Sequence, residues 1–232
     1  VSSDALHAVV TGSSSGIGRA IAESLLATGW RVSGLDVSAP GIVRADFSHV
    51  QVDLAQGDEI ARAAASLGVP DALVHAAGVL RVGPLGQLDL AGGELMWRLH
   101  VDAATRLADA LVPGMAARGS GRVVFVGSRV AQGMPGRGQY AATKAALVAL
   151  ARSWAAEVAD RGVTVNVVSP AATATAMLQD PSRAASAPRL PPIGRLIAPA
   201  EIAGLVGYLL SPIAAAITGQ DIAVCGGSSL PR

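Results

Sequence analysis

The stretch Thr11-Gly12-Ser13-Ser14-Ser15-Gly16-Ile17-Gly18 follows a short β-branched run at 7–11 and opens a helical pattern at 17–28. Glycines between a strand and a helix let the backbone turn tightly and come close to a pyrophosphate. The free N–H groups and dipole of the helix N-terminus favour its charge. A purely structural turn is the competing reading, and the strand before it and the amphipathic helix after it weigh against that. Gly12, Ser14, Ser15, Gly16, Ile17 and Gly18 are therefore candidate dinucleotide-binding residues.

Outward from this turn the alternation repeats. Apolar or β-branched runs at 31–35, 72–75, 122–127, 164–168 and 221–224 read as buried parallel strands, and the stretches 58–67, 93–118, 140–160 and 199–211 as helices. Strand alternating with helix predicts an α/β fold: a Rossmann-like, doubly wound parallel sheet with helices on both faces. No composition shift marks a boundary, so residues 1–232 are expected to form a single dinucleotide-binding and catalytic domain. The Pro-, Ala-, Ser- and Arg-rich stretch from 171 to 198 breaks the rhythm. It reads as a substrate lid or as a surface excursion, and its place after a strand C-terminus, where open α/β sheets bind ligands, favours the lid.

Charge and composition narrow the partners. The 18 Lys and Arg are scattered and balance 17 Asp and Glu, which speaks against nucleic acid. With aromatics at 3%, the core must be built from Ala, Val, Leu and Ile. Cys225 has no second thiol for a disulfide or a zinc cluster, so no metal site is expected and a reducing cytoplasm is the natural setting. Every hydrophobic stretch is interrupted before membrane-spanning length, so no membrane partner is expected either.

The second strand runs into Asp36. A carboxylate there can accept both ribose hydroxyls of NAD and would repel the extra phosphate of NADP, for which neither Ser13 to Ser15 nor Val37 offers a cation. NAD is the expected cofactor, with an ordinary loop aspartate as the alternative. Asp53 and Leu54 would border the adenine, and Ala76, Ala77 and Gly78 would let the fourth strand's end lie close to the dinucleotide.

Tyr140 and Lys144 stand four residues apart, on one helical face. An ammonium beside a phenol favours phenolate, so Tyr140 could act as a general base towards an alcohol. Such a pair alone reads more readily as surface decoration. Ser128 changes that balance: it lies twelve residues earlier, at the end of a buried strand, where its hydroxyl can hydrogen-bond a substrate oxygen.

In this order, Thr-Gly-x-x-x-Gly-x-Gly, Asp36, Asp53, His75-Ala76-Ala77-Gly78, Ser128, Tyr140-x-x-x-Lys144, Asn166-Val167-Val168-Ser169-Pro170 and Thr175, the chain resembles the short-chain dehydrogenase/reductase family. The resemblance implies an oxidoreductase that passes a hydride between a nicotinamide and a secondary alcohol or ketone. Ser128 would orient substrate, Tyr140 would be the acid/base, and Lys144 would bind ribose and tune the phenol. Pro170, Ala171, Thr173 and Thr175 would border the nicotinamide. It also implies a homotetramer, or a dimer, with the alanine-rich helix at 140–160 at an interface.

The sequence departs from the family at several points. His75-Ala76-Ala77-Gly78 stands for the usual Asn-Asn-Ala-Gly, Pro170-Ala171 for Pro-Gly, and His100 for the fourth catalytic residue, an asparagine. His100 is read either as a substitute in the proton relay or as packing between helix and sheet. The Ser128-to-Tyr140 spacing is one residue short of the common form. Residues 71–83 and 217–222 are also similar to 2,3-dihydro-2,3-dihydroxybenzoate dehydrogenases. A cyclic hydroxy or dihydrodiol carboxylate would then be the small-molecule substrate, met by Arg129, Arg137, Arg183, Arg189 or Arg195 unless these are simply solvated. The departures leave one alternative class, a dinucleotide-binding regulatory protein with lost or weak turnover.

Overall fold

Seven strands, most of them rich in Val, Ala, Leu and Ile, pair into one parallel sheet in the computed structural model, which describes residues 5–179 and 190–230. The strands are β1 (His7–Thr11), β2 (Arg31–Asp36), β3 (Phe47–Gln51), β4 (Ala72–His75), β5 (Gly121–Val126), β6 (Val163–Pro170) and β7 (Asp221–Val224). Their spatial order is β3-β2-β1-β4-β5-β6-β7. Because the chain winds outward in both directions from β1 and β4, the crossovers leave in opposite senses there, opening a crevice at the strands' C-terminal ends.

Alternate side chains along the central strands enter one of two apolar layers. Val9, Leu73, Val123 and Val165 pack with α2 (Gly57–Leu67), α4 (Ala103–Arg118) and α5 (Gly138–Val158). Ala8, Val10, Val74 and Val124 pack with α1 (Gly16–Ala27) and α6 (Pro199–Leu210). The expected Rossmann-like sheet with helices on both faces is the observed one.

The expected helix at 93–118 differs from the observed one in two ways. It begins earlier, as α3 (Leu90–Trp97), whose N-cap Asp89 accepts a hydrogen bond from the Gly92 N–H at 2.8 Å. It then passes through a π-helical turn, Arg98–Asp102, before α4. A π-turn takes one residue more than the 3.6 period and occurs mostly at functional sites. Here it faces the crevice. On α5, Ala142, Ala145 and Ala149 are exposed, so the small-residue face is open in the single chain. Among the described residues, no helix is long and apolar enough to cross a membrane, and no three His, Cys, Asp or Glu are grouped to hold a metal ion.

Candidate active site

A cavity of about 940 Å³ opens at the crevice. One end is built by the first turn. Gly12 has φ +69° and a Cβ there would lie 2.9 Å from the Cα of Ala77, while a Cβ on Gly18 would run into the carbonyl oxygen of Gly12. Both positions need glycine for close backbone approach. Ser15, the N-cap of α1, makes no side-chain cap bond, and the first turn of α1 carries no acid. The helix N-terminus therefore turns unneutralised N–H groups and a positive dipole to the cavity, a cradle suited to a pyrophosphate. Thr11 holds the facing edge: its hydroxyl oxygen accepts from the N–H groups of Ala76 and Ala77, both at 3.0 Å.

Most predicted cofactor residues line this cavity: Gly12, Ser15, Gly16, Ile17, Gly18, Asp36, Asp53, Leu54, Ala76, Ala77, Gly78, Pro170, Ala171, Thr173 and Thr175. Ser14 does not. Its N–H donates to the Asp36 carboxylate at 3.0 Å and its hydroxyl to the Ser38 carbonyl at 3.2 Å, so it ties the first turn to the second. Asp36 also accepts from the Ser38 N–H at 2.9 Å, which fixes the carboxylate at the end of β2 while leaving it lone pairs for further donors.

Ser128, Tyr140 and Lys144 line the cavity on the β5–α5 side. Ser128 caps a 3-10 turn at Arg129–Gln132, accepting from the Val130 N–H at 3.2 Å. Lys144 is buried, donates to the Val126 carbonyl at 2.9 Å, and stands 5.7 Å from the centre of the Tyr140 ring. Burial pushes its ammonium down to about 7. The twelve-residue Ser128-to-Tyr140 spacing thus still brings both onto one wall.

His100, the third residue of the π-turn, is buried and has both ring nitrogens occupied. Nε2 accepts from the Val79 N–H at 3.1 Å, and Nδ1 lies 2.8 Å from the Thr143 hydroxyl. Its ring stands edge-on to Tyr140 at 5.6 Å. A proton relay through this imidazole would have to break one of those bonds.

The predicted lid lies partly outside the described residues, as do Arg183 and Arg189. Its two stems are joined by a bridge between Thr173 and Ile197, and Met177, Leu178 and Leu190 line the cavity. Arg195 does not line the cavity and pairs with both oxygens of Glu201 at 2.6 and 2.9 Å. Arg129 and Arg137 do line the cavity. Sequence reasoning missed Val79, Leu80, Leu99, Val130, Met134 and Leu230, the apolar part of the wall. No motif marks them, since any apolar residue serves.

A doubly wound sheet with a glycine cradle at the switch point and Ser, Tyr and Lys on the opposite wall defines a dinucleotide-binding oxidoreductase class. The chain belongs to the short-chain dehydrogenase/reductase family. Residues 12–229 match the family model described as enoyl-(acyl carrier protein) reductase. The 3-oxoacyl-[acyl-carrier-protein] reductase FabG of Vibrio cholerae is 36% identical, covering 95% of this chain and 96% of that protein. A solved structure titled short chain dehydrogenase/reductase family protein is 37% identical, with 96% of each chain covered and a TM-score of 0.89. An actinorhodin polyketide ketoreductase solved with NADPH is 27% identical over the full length of both chains, with a TM-score of 0.91.

Proposed function

We propose that this protein is a NAD-preferring oxidoreductase that interconverts a ketone and a secondary alcohol, with a 3-oxoacyl thioester as its substrate class. The observation that carries the reading is the convergence of Ser128, Tyr140 and Lys144 on one cavity with the α1 cradle and Asp36. A bound nicotinamide would supply the hydride in reduction or accept it in oxidation. In reduction, the Tyr140 phenol gives its proton to the carbonyl oxygen as the carbonyl carbon is reduced, and Ser128 hydrogen-bonds that oxygen as negative charge develops. Lys144 holds a ribose hydroxyl and favours the phenolate left on Tyr140.

The acyl assignment follows the FabG relative and agrees with the wall formed by Val79, Leu80, Val130, Met134 and Leu178, which suits an alkyl chain. Arg129 and Arg137 on the same wall favour a second reading, a cyclic dihydrodiol carboxylate. Nicotinamide absorbance, followed with acetoacetyl and longer 3-oxoacyl thioesters plus NADH and with a dihydrodiol carboxylate plus NAD, separates the two. Absence of turnover across the whole panel, with dinucleotide binding retained, would instead support a regulatory dinucleotide-binding protein. We extend the proposal to residues 171–198 as a lid, since both described stems border the cavity.

Cofactor choice rests on Asp36, although the ketoreductase relative was solved with NADPH. Asp36→Ala is expected to weaken NAD and relatively improve NADP, shifting selectivity by about 1–3 kcal/mol, the scale of a hydrogen bond to a charged group. Titration of both dinucleotides by fluorescence measures this. An unmodified protein that already prefers NADP would overturn the assignment.

Lys144 gives a second check. A ribose hydroxyl accepting from its ammonium stabilises the protonated form, so cofactor binding raises a pKa that stands at about 7 in the free protein. Affinity is then full below pH 7 and falls as pH rises above it, by at most about tenfold per unit, until the pKa of the complex is passed. Calorimetry between pH 6.5 and 9 should show this fall in the parent and not in Lys144→Met.

A further inference from the structure

Two buried imidazoles flank the wall that carries Tyr140, and their hydrogen bonds fix both tautomers. His75 closes β4. Its Nε2 lies 3.0 Å from the Leu99 carbonyl, which can only accept, so that nitrogen carries the proton. Its Nδ1 lies 3.0 Å from the Thr11 hydroxyl, whose oxygen already accepts two N–H bonds, so Thr11 donates to it. His100 is the opposite tautomer. Its Nε2 accepts from Val79, so Nδ1 carries the proton and donates to Thr143, whose own proton goes to the Tyr140 carbonyl at 2.9 Å.

We infer that His100, seated by His75, is a positioning residue: through Thr143 it ties the π-turn to the first turn of α5 and so fixes the Tyr140 ring beside Lys144. The inference rests on the reading of Tyr140 as proton carrier. Four observations carry it. A π-turn disturbs the regular hydrogen-bond ladder, and His75 supplies a donor to one of its carbonyls, at Leu99. The space for the His100 ring exists only because residue 78 is glycine, where a Cβ would lie 2.6 Å from Nε2. The ring meets Tyr140 at 86°, an edge-to-face contact that restricts the phenol's tilt. Finally, both nitrogens are spent on the scaffold, so the imidazole has no free lone pair or proton with which to shuttle.

Charge around the pair agrees with this role. The groups facing His100 are Lys144 and Tyr140 from α5 and His75 from β4. Burial first, then the Lys144 ammonium, then His75, hold His100 neutral, so it keeps one tautomer across the working pH range.

The test uses the chain's two tyrosines. Tyr208→Phe, on the far helix α6, leaves Tyr140 as the sole phenol, whose ionisation is then read by ultraviolet difference absorbance without any turnover. In that background, His100→Ala, Thr143→Val and the double variant should displace the Tyr140 titration in the same direction and to the same extent. Thr143→Ser, which keeps the hydroxyl, should titrate as the parent does. Turnover on the best substrate should fall roughly tenfold in the first three, without additivity, and recover with serine, while NAD affinity stays unchanged. If Thr143→Val titrates and turns over like the parent, the positioning role is overturned. Should His100→Ala fail to fold, the Thr143 pair decides the question alone. Should no substrate be turned over, the function proposed above fails, yet the titration still decides whether His100 positions the phenol.

Discussion

Replacing Tyr140 by Phe should lower turnover by on the order of a thousandfold, the scale of a lost general acid/base group. The substitution removes one oxygen and keeps the ring that packs against His100 at 5.6 Å, so neither the edge-to-face contact nor the helix is disturbed. The α1 cradle and Asp36 lie across the cavity and are untouched, so dinucleotide affinity by fluorescence titration is expected to match the parent. Loss in kcat with Kd for NAD retained assigns the phenol to the chemical step. Near-full activity would remove Tyr140 from the mechanism, and with it the phenol-tuning role given to Lys144.

The parts of the site that were legible in the sequence are those in which chemistry is bound to a local backbone requirement. Gly12 and Gly18 are glycine because any side chain would meet neighbouring backbone, so the cradle is written into one short stretch. Asp36 and Ser128 were visible because each ends a recognisable apolar strand. Asp89 could also have been read, since an aspartate before a helical stretch is a capping signal.

Other features arise from contacts between distant residues and leave no local trace. Thr11 meets His75 across 64 positions, and His100 meets Thr143 across 43. Neither the tautomers nor the π-turn follows from a period of 3.6. Arg195 was open to a substrate carboxylate or to solvent, and it is the turn into α6 that brings it onto Glu201, six residues further along the chain. Ser14 belongs to the right motif and still points elsewhere, because a glycine-rich turn presents only some of its residues to the cavity.

Acid should destabilise this fold more steeply than its carboxylates alone explain, because two imidazoles are held neutral inside it. Burial, followed by the Lys144 ammonium, holds His75 down at about 3 and His100 well below its ordinary 6.5. In the unfolded chain both take up protons as pH falls through about 6.5. Below that point the unfolded state binds more protons than the native one, so stability is full above pH 6.5 and drops as pH decreases towards the folded values. The slope approaches about 1.4 kcal/mol per pH unit for each histidine and is half that at pH 6.5, so between pH 6.5 and 5 the pair removes on the order of 3 kcal/mol, a large share of a typical domain's 5–15 kcal/mol. His7, also lowered chiefly by burial, adds in the same direction, whereas the Arg195-paired Glu201 does so only below about 4.5. Urea unfolding at pH 7.5, 6.5, 5.75 and 5 should show the midpoint falling steeply in the parent. Asparagine offers a donor and an acceptor without a titrating proton, so His75→Asn and His100→Asn should each remove roughly half of the slope contributed by the pair. A parent whose midpoint is flat across that range, or an asparagine variant with the parent's slope, would mean that these imidazoles are already protonated in the native state. The tautomers that tie the π-turn to Tyr140 would then be wrong as well.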